Sequence, residues 1–198
     1  MRNKLFAGIA LALFMLEALL CFVSWIVAAL NPESGVRSIF SGEGVRWLLG
    51  EYSDVVATPV MSWILCMSMA WGTVRGCGIL QWRRQRRLAY RERIAVHAAA
   101  FVALACIFVL FMLAAMPHAV LLSATGELFP SPFSSAIVPV VSFCVAMVSV
   151  VFGIVSSNIS SVLDVYKSLV FGIERAAPLF VIYVLLIHLY YTFIFVLC

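Results

Sequence analysis

Charged side chains are scarce in this chain of 198 residues, of which 11% are Asp, Glu, Lys or Arg while 65% are apolar. A soluble domain carries about 25% charged and roughly 45–50% apolar residues. Because a folded domain of this length leaves a large surface in contact with water, it cannot hide such an apolar excess. The shortage of charge excludes a soluble enzyme, a secreted disulfide scaffold, a disordered protein and a nucleic-acid reader, and it predicts an integral membrane protein.

Motifs for catalysis and metal binding are also lacking. The six cysteines show no CxxC spacing, and cysteines in lipid act as small apolar residues, so no disulfide framework is expected. The sequence contains no Walker loop, GxSxG, HExxH or paired-carboxylate motif. We therefore expect no enzyme activity, no cofactor and no metal site.

Five apolar stretches are long enough to cross a hydrocarbon core, which takes about 17–25 helical residues. They are Leu5–Leu30, Val55–Val74, Ile94–Met116, Ala136–Val155 and Ala176–Cys198. Backbone amides in lipid must bond internally, and these runs lack the alternation of barrel strands, so each is predicted to be a helix. The first stretch is too long for the core of a signal peptide, and we expect it to be retained.

Basic residues in short loops predict the orientation of the helices. Segment 75–93 carries seven of them, the N-terminus two and segment 156–175 two, all on one side of a five-span chain. The opposite side has only Arg37 and Arg46. This asymmetry predicts a protein of the cytoplasmic (plasma or inner) membrane, with its N-terminus in the cytoplasm and its C-terminus outside.

The cytoplasmic loop 75–93 contains a dense basic cluster. Such a cluster beside a span fixes topology and attracts anionic lipid, by about 1 kcal/mol per residue, and this interpretation is favoured over nucleic-acid binding. The residues expected to contact anionic lipid or a partner protein are Arg83, Arg84, Arg86, Arg87, Arg91 and Arg93.

Segment 158–174 has helical periodicity with one apolar and one polar face. Because it is short for a span and carries charge, it is predicted to lie along the cytoplasmic surface. Ser161 and Asp164 have the spacing of a capping pair at its start, and Arg175 and Pro178 are expected to mark the turn into the last span. The predicted fold is therefore an all-α, polytopic membrane protein, with five transmembrane helices plus an interfacial amphipathic helix in a single domain of residues 1–198.

Glu17 is the one charged residue inside a predicted span. An acid at mid-bilayer costs roughly 2.5–3.5 kcal/mol on insertion scales and normally faces protein or water. Glu17 and His188 each lie twelve positions after the start of their stretch, and spans one and five run parallel, so the two groups are expected at similar depth. They are candidates for a proton-responsive ion-coupling pair. The alternatives are a structural polar contact and a Glu17 that is simply protonated in lipid.

Two parts of the sequence have a pattern found in known transporters. One is residues 41–49 (SGEGVRWLL), and the other combines residues 153–155 (GIV), 164–165 (DV), 167–169 (KSL) and 176–180 (AAPLF). They resemble the outer segment before the second span, and the last conserved region, of the aminobenzoyl-glutamate transporter family. Residues 51–54 (EYSD) stand where that family has an Asn-Phe-rich turn.

The resemblance implies a short form of that family without its central substrate-binding region. Members of the family are more than twice this long and hold substrate in re-entrant hairpins, a use of discontinuous helices common among transporters. Those hairpin motifs have no counterpart in this sequence, so no substrate-binding residue is carried over.

Two functions remain open from the sequence. The first is a transporter-related protein that moves an organic anion, such as an aminobenzoyl-glutamate-type solute, as a homo-oligomer or with other membrane subunits. The second is a non-transporting membrane scaffold or accessory subunit derived from a transporter.

Overall fold

The computed structural model of the protein describes residues 2–31, 33, 35–82, 90–115 and 132–197. Eight α-helices make up most of this described part, which contains no β-strand. In chain order they are α1 (Arg2–Leu30), α2 (Gly42–Gly50), α3 (Tyr52–Val56), α4 (Pro59–Gly76), α5 (Ile79–Trp82), α6 (Tyr90–Ala115), α7 (Pro132–Val155) and α8 (Val162–Leu197). The prediction of an all-α protein is therefore confirmed.

Four of these helices contain segments long and apolar enough to cross a membrane. The segments are Lys4–Leu30, Tyr90–Met112, Ala136–Val155 and Val162–Leu197. Large apolar side chains along them stay exposed, among them Leu11 of α1 and Phe101 of α6. A surface of this kind suits lipid rather than water, and the helices are those of an integral membrane protein.

The second predicted span differs from the structure at its start. Instead of one helix over Val55–Val74, α3 ends at Val56 and α4 begins at Pro59. The proline ring fixes φ and removes an N–H donor, and it disfavours helical geometry at Thr58, so Pro59 opens a new helix rather than continuing the previous one. The 18 residues of α4 extend for about 27 Å.

The last two predicted elements are joined in the structure. Helix α8 is continuous from Val162 to Leu197, so it contains both the segment predicted to lie on the membrane surface and the fifth stretch. The turn expected near Arg175 and Pro178 does not occur. Pro178 lies inside the helix, where it removes the bond to the carbonyl of residue 174 without ending the helix.

The capping pair predicted at the start of this helix is confirmed. The Ser161 hydroxyl accepts a hydrogen bond from the Leu163 N–H at 3.1 Å. In return, the Asp164 carboxylate accepts from the N–H groups of Ser161 at 3.1 Å and Ser160 at 3.2 Å. Three donors at the helix start are thereby satisfied, which explains why α8 begins at Val162.

The chain divides into two compact units, one formed by residues 1–61 and 177–198 and the other by residues 62–176. In the first unit, α1 and the C-terminal part of α8 run parallel. Near their beginnings, Phe6 and Pro178 line the same small cavity. Near their ends, Cys21 packs against the buried cluster that contains Val196. The loop after α1 lies beside the end of α8, because the N–H of Arg37 donates to the carbonyl of Val196 at 3.1 Å.

In the second unit, α4 and the first turns of α8 cross with their backbones in direct contact. A Cβ added to Gly72 would lie 2.1 Å from the Ser168 carbonyl oxygen, and one added to Gly172 would lie 2.0 Å from the Ser68 carbonyl oxygen. Small residues at every fourth position allow this approach, as is common in membrane helix pairs. The series are Ser68, Gly72 and Gly76 in α4, and Ser168, Gly172 and Ala176 in α8.

The core of the second unit lies where α7 ends. Ser157 takes a left-handed conformation with φ 62°, and the N–H of Asn158 returns to the carbonyl of Gly153 at 2.9 Å, as in a Schellman cap. The Asn158 side chain then donates to the carbonyl of Cys77 at 3.0 Å. Cys77 is fully buried, and this burial raises the pKa of its thiol. The buried residues of this core are Cys77, Ala95, Ala99, Phe152 and Ile159.

Candidate functional site

Glu17 and His188, which the sequence places at similar depth, are in contact in the structure. The Nδ1 of His188 faces the Oε1 of Glu17 as an ion pair or hydrogen bond, depending on which of the two holds the proton. The side chains are only 14% and 17% exposed, for His188 and Glu17 respectively. An acid and a base that contact each other within apolar helices offset much of the cost of burying either one alone.

A third segment lies against this pair. The Tyr52 ring of α3 packs beside the imidazole of His188, with 5.5 Å between ring centroids. One turn and a half earlier in α8, the Tyr183 hydroxyl is hydrogen bonded to the Thr58 hydroxyl. The pair is therefore in contact with α3 through Tyr52, and the break between α3 and α4 is fixed to α8 nearby.

The segment from α2 to the start of α4 follows α8 in the opposite direction. Trp47 of α2 stacks on Phe195, with 4.7 Å between centroids and 17° between ring planes. Later in the same segment, Tyr52 contacts His188 and Thr58 is hydrogen bonded to Tyr183. Each of these contacts lies closer to the start of α8 than the one before. Glycine makes the entry to α2 possible, because a Cβ on Gly44 would lie 2.4 Å from the Ile39 carbonyl oxygen.

Breaks between helices leave backbone groups that intrahelical bonds do not use. In α2–α4 such breaks occur at Glu51 and at residues 57–58. The arrangement brings one acid, one base, two tyrosines and two helix breaks into the same part of the first unit.

The Glu17–His188 pair can exist in distinct protonation states. A single proton shared by the carboxylate and the imidazole leaves the pair neutral overall. A second proton neutralises the carboxylate, leaves the imidazolium charged and ends the ion pair. The number of protons held therefore decides whether the contact is neutral overall or carries a charge.

Thr192 is a polar neighbour that the sequence analysis did not single out. Its side chain is only 1% exposed, and its hydroxyl has no hydrogen-bond partner among the described residues. It follows His188 by one turn of α8. Tyr183 and Thr192 are, like His188, polar residues in a largely apolar part of α8. This shared property could have indicated from the sequence that they belong to the same site.

The residues predicted for lipid or partner contact are only partly within the described chain. Arg83, Arg84, Arg86 and Arg87 lie outside the described residues. Arg91 donates to the Ser157 hydroxyl at 3.0 Å, and Arg93 lies exposed in the first turns of α6. In the described ranges, no group of three His, Cys, Asp or Glu residues is placed to hold a metal ion.

Sequence reasoning also missed Tyr52 and Thr58 as neighbours of the pair. It placed Arg37 and Arg46 on the outer side of the membrane and treated residues 55–74 as one span. The available signal was Pro59, because a proline inside an apolar run predicts a helix boundary just before it.

Comparison of the chain with protein-family models, with curated proteins and with solved structures finds no match in any of the three.

Proposed function

We propose that this protein is a transporter-related integral membrane protein that moves an organic anion across the cytoplasmic membrane, with Glu17 and His188 as its proton-responsive centre. The observation that carries the proposal is the contact of these two side chains beside Tyr52 of the broken segment α2–α4. Ionisable groups within membrane helices are costly and mark ion paths. A discontinuous helix beside them supplies the backbone groups that such paths use.

The proposed topology has five crossings, with the N-terminus in the cytoplasm and the C-terminus outside. It is supported by the parallel course of α1 and the end of α8, because a first and a last crossing in the same direction require an odd number of crossings. Four helices have the length and hydropathy of spans, and α4 is the fifth in this proposal. The basic residues of segment 75–93 then contact the anionic inner leaflet, and the polar start of α8 is on the same side of the membrane.

The substrate class rests on the resemblance to the aminobenzoyl-glutamate transporter family. Solutes of that type are organic anions, and protonation of a Glu–His pair is a means of coupling anion movement to a proton gradient. Five helices rarely enclose a path alone, so the proposal includes a homo-oligomer or further membrane subunits that share the path.

Uptake into proteoliposomes tests this proposal. Purified protein is reconstituted, a pH gradient is imposed, and uptake of labelled aminobenzoyl-glutamate and of other organic anions is measured. We expect uptake that depends on the gradient, and Glu17→Gln is expected to reduce it by at least about ten-fold, the effect of losing a proton-transfer group. Glu174→Gln is the matched control, because Glu174 is an exposed acid of α8 outside the contact. Absence of uptake by the unmodified protein for all anions and gradients would contradict transport.

The second candidate function is a membrane scaffold or accessory subunit. It is favoured by α1, because no residue in the most apolar 18-residue stretch of that helix is buried within the chain. Such a surface is available to helices of another membrane protein as well as to lipid. Co-purification of a stoichiometric membrane partner, together with no uptake by the protein alone, would favour this function over transport.

A further inference from the structure

A polar groove of about 600 Å³ lies in the second unit, where the end of α4, α5 and the first turns of α8 meet. Two cations line it, Arg75 from α4 and Lys167 from α8. Neither takes part in the salt bridges seen among the described residues, such as Arg37–Glu43. The groove therefore presents two positive charges that are not neutralised by a salt bridge there.

The close crossing of α4 and α8 fixes the positions of these cations. A Cβ on Gly76 would lie 2.4 Å from the Cβ of Ser168, so the backbones meet at these two residues. Arg75 and Lys167 are the residues immediately before them in each helix. They consequently flank the same contact from two helices, and their separation is set by the backbone rather than by flexible loops.

Nearby aromatic and carboxylate groups do not cancel this charge. The Arg75 guanidinium lies 5.2 Å from the centroid of the Trp71 ring, a cation–π contact that orients the side chain without neutralising it. Asp164 also lines the groove, and its carboxylate accepts hydrogen bonds from the Ser160 hydroxyl at 3.0 Å and from two backbone N–H groups. It keeps one negative charge, which interacts with Lys167, so the two cations exceed the anionic charge of the groove by one. A ligand in the groove therefore meets a net positive site.

The groove has an apolar side as well as a charged one. Leu80 of α5 and Phe171 of α8 line it, and each keeps 43% of its surface exposed. Phe171 follows Lys167 by one turn and is therefore closer to the apolar C-terminal part of α8. A ligand that fits both sides combines an anionic head with a hydrocarbon chain.

We propose that this groove binds one anionic phospholipid, with the headgroup phosphate between Arg75 and Lys167 and an acyl chain against Leu80 and Phe171. The guanidinium donates paired hydrogen bonds to phosphate oxygens, and the ammonium adds a point charge. This site differs from the basic loop 75–93 as a whole, because it is one defined groove with a single occupant rather than a diffuse attraction of lipid. It does not depend on whether Glu17 and His188 couple transport.

Native mass spectrometry of the full chain in mild detergent tests the proposal. Dioleoyl phosphatidylglycerol is titrated onto the delipidated protein, with dioleoyl phosphatidylcholine in a parallel titration. We expect one phosphatidylglycerol to bind in preference to phosphatidylcholine. Arg75→Gln combined with Lys167→Gln is expected to raise the dissociation constant by at least about ten-fold, because two charge-assisted contacts are lost.

Two further variants keep the result interpretable. Lys4→Gln combined with Arg46→Gln removes the same number of charges at residues that do not line the groove, and it is expected to change binding by less than about two-fold because no direct contact with the headgroup is lost. Arg75→Lys combined with Lys167→Arg keeps both charges and is expected to keep most of the binding, which separates loss of the site from loss of the fold.

Several results would overturn the proposal. One is an equal loss of lipid binding in the groove and control variants, because binding would then follow net charge. Another is unchanged lipid binding in the groove variant. Equal binding of phosphatidylcholine would also overturn it. A third arm adds millimolar inorganic phosphate, which we expect to leave the lipid in place. Displacement of the lipid by inorganic phosphate would assign the groove to a soluble phosphate instead.

Discussion

Gly172→Leu is expected to prevent the second unit from folding. A Cβ at this position would lie 2.0 Å from the Ser68 carbonyl oxygen and 3.0 Å from the Cα of Gly72, and backbone atoms cannot move aside as side chains do. The helices would have to separate over the whole crossing, at a cost of more than about 3 kcal/mol, beyond the usual range for overpacking. We expect loss of the monodisperse peak in size-exclusion chromatography of the detergent-solubilised protein.

Gly8→Leu is the matched control for this substitution. Gly8 lies inside α1, and a Cβ there would have no neighbour within 4 Å, so the added side chain projects into open space. The control is expected to behave like the unmodified protein. A monodisperse, thermally stable Gly172→Leu variant would contradict the direct backbone contact between α4 and α8.

His188→Leu is expected to have the second largest effect, by leaving Glu17 without its partner. An unpaired acid within membrane helices costs roughly 2.5–3.5 kcal/mol, and we expect the free energy of unfolding to fall by about 2–3 kcal/mol for this reason. The measurement is unfolding in mixed detergent micelles, followed by circular dichroism. His97→Leu serves as control, because His97 lies exposed on α6 and its loss is expected to be nearly neutral.

The double variant Glu17→Leu/His188→Leu tests the physical reason for that loss. Once both polar groups are gone, no acid is left without a partner, and apolar side chains suit the surrounding helices. We expect the double variant to recover most of the stability lost in His188→Leu. A double variant as unstable as His188→Leu would show that the histidine packs for reasons unrelated to Glu17.

The long helices and the polar pair were within reach of sequence reasoning. Apolar runs bounded by charge correctly predicted α1, α6 and α7, because only helices and closed barrels satisfy their amides in lipid and these runs lack the alternation of barrel strands. Counting residues along parallel spans predicted the proximity of Glu17 and His188, which the structure brings into contact. Helical rise is regular, so depth along a straight helix can be read from residue number.

The interruptions and crossings were not predictable in the same way. The hydropathy of the run from Val55 predicts one continuous helix, yet α4 begins at Pro59. Hydropathy averaged over many residues does not include the effect of a single proline on the backbone. The run from Ala176 was predicted to be a separate span, yet α8 continues through Pro178. A helix can continue past a proline because the loss of one backbone hydrogen bond can be offset by packing against other parts of the protein. The small residues at every fourth position of α4 and α8 are compatible with a crossing, but their spacing does not say which two helices cross.

The proposed topology has an odd number of membrane crossings, with α1 and the end of α8 running in the same direction. The most direct measurement is a pair of C-terminal fusions in bacterial cells, one to alkaline phosphatase and one to green fluorescent protein. We expect an active phosphatase and no fluorescence, since the proposed topology has the C-terminus outside. A fluorescent fusion without phosphatase activity would place both termini in the cytoplasm and would contradict the parallel packing that brings Glu17 to His188.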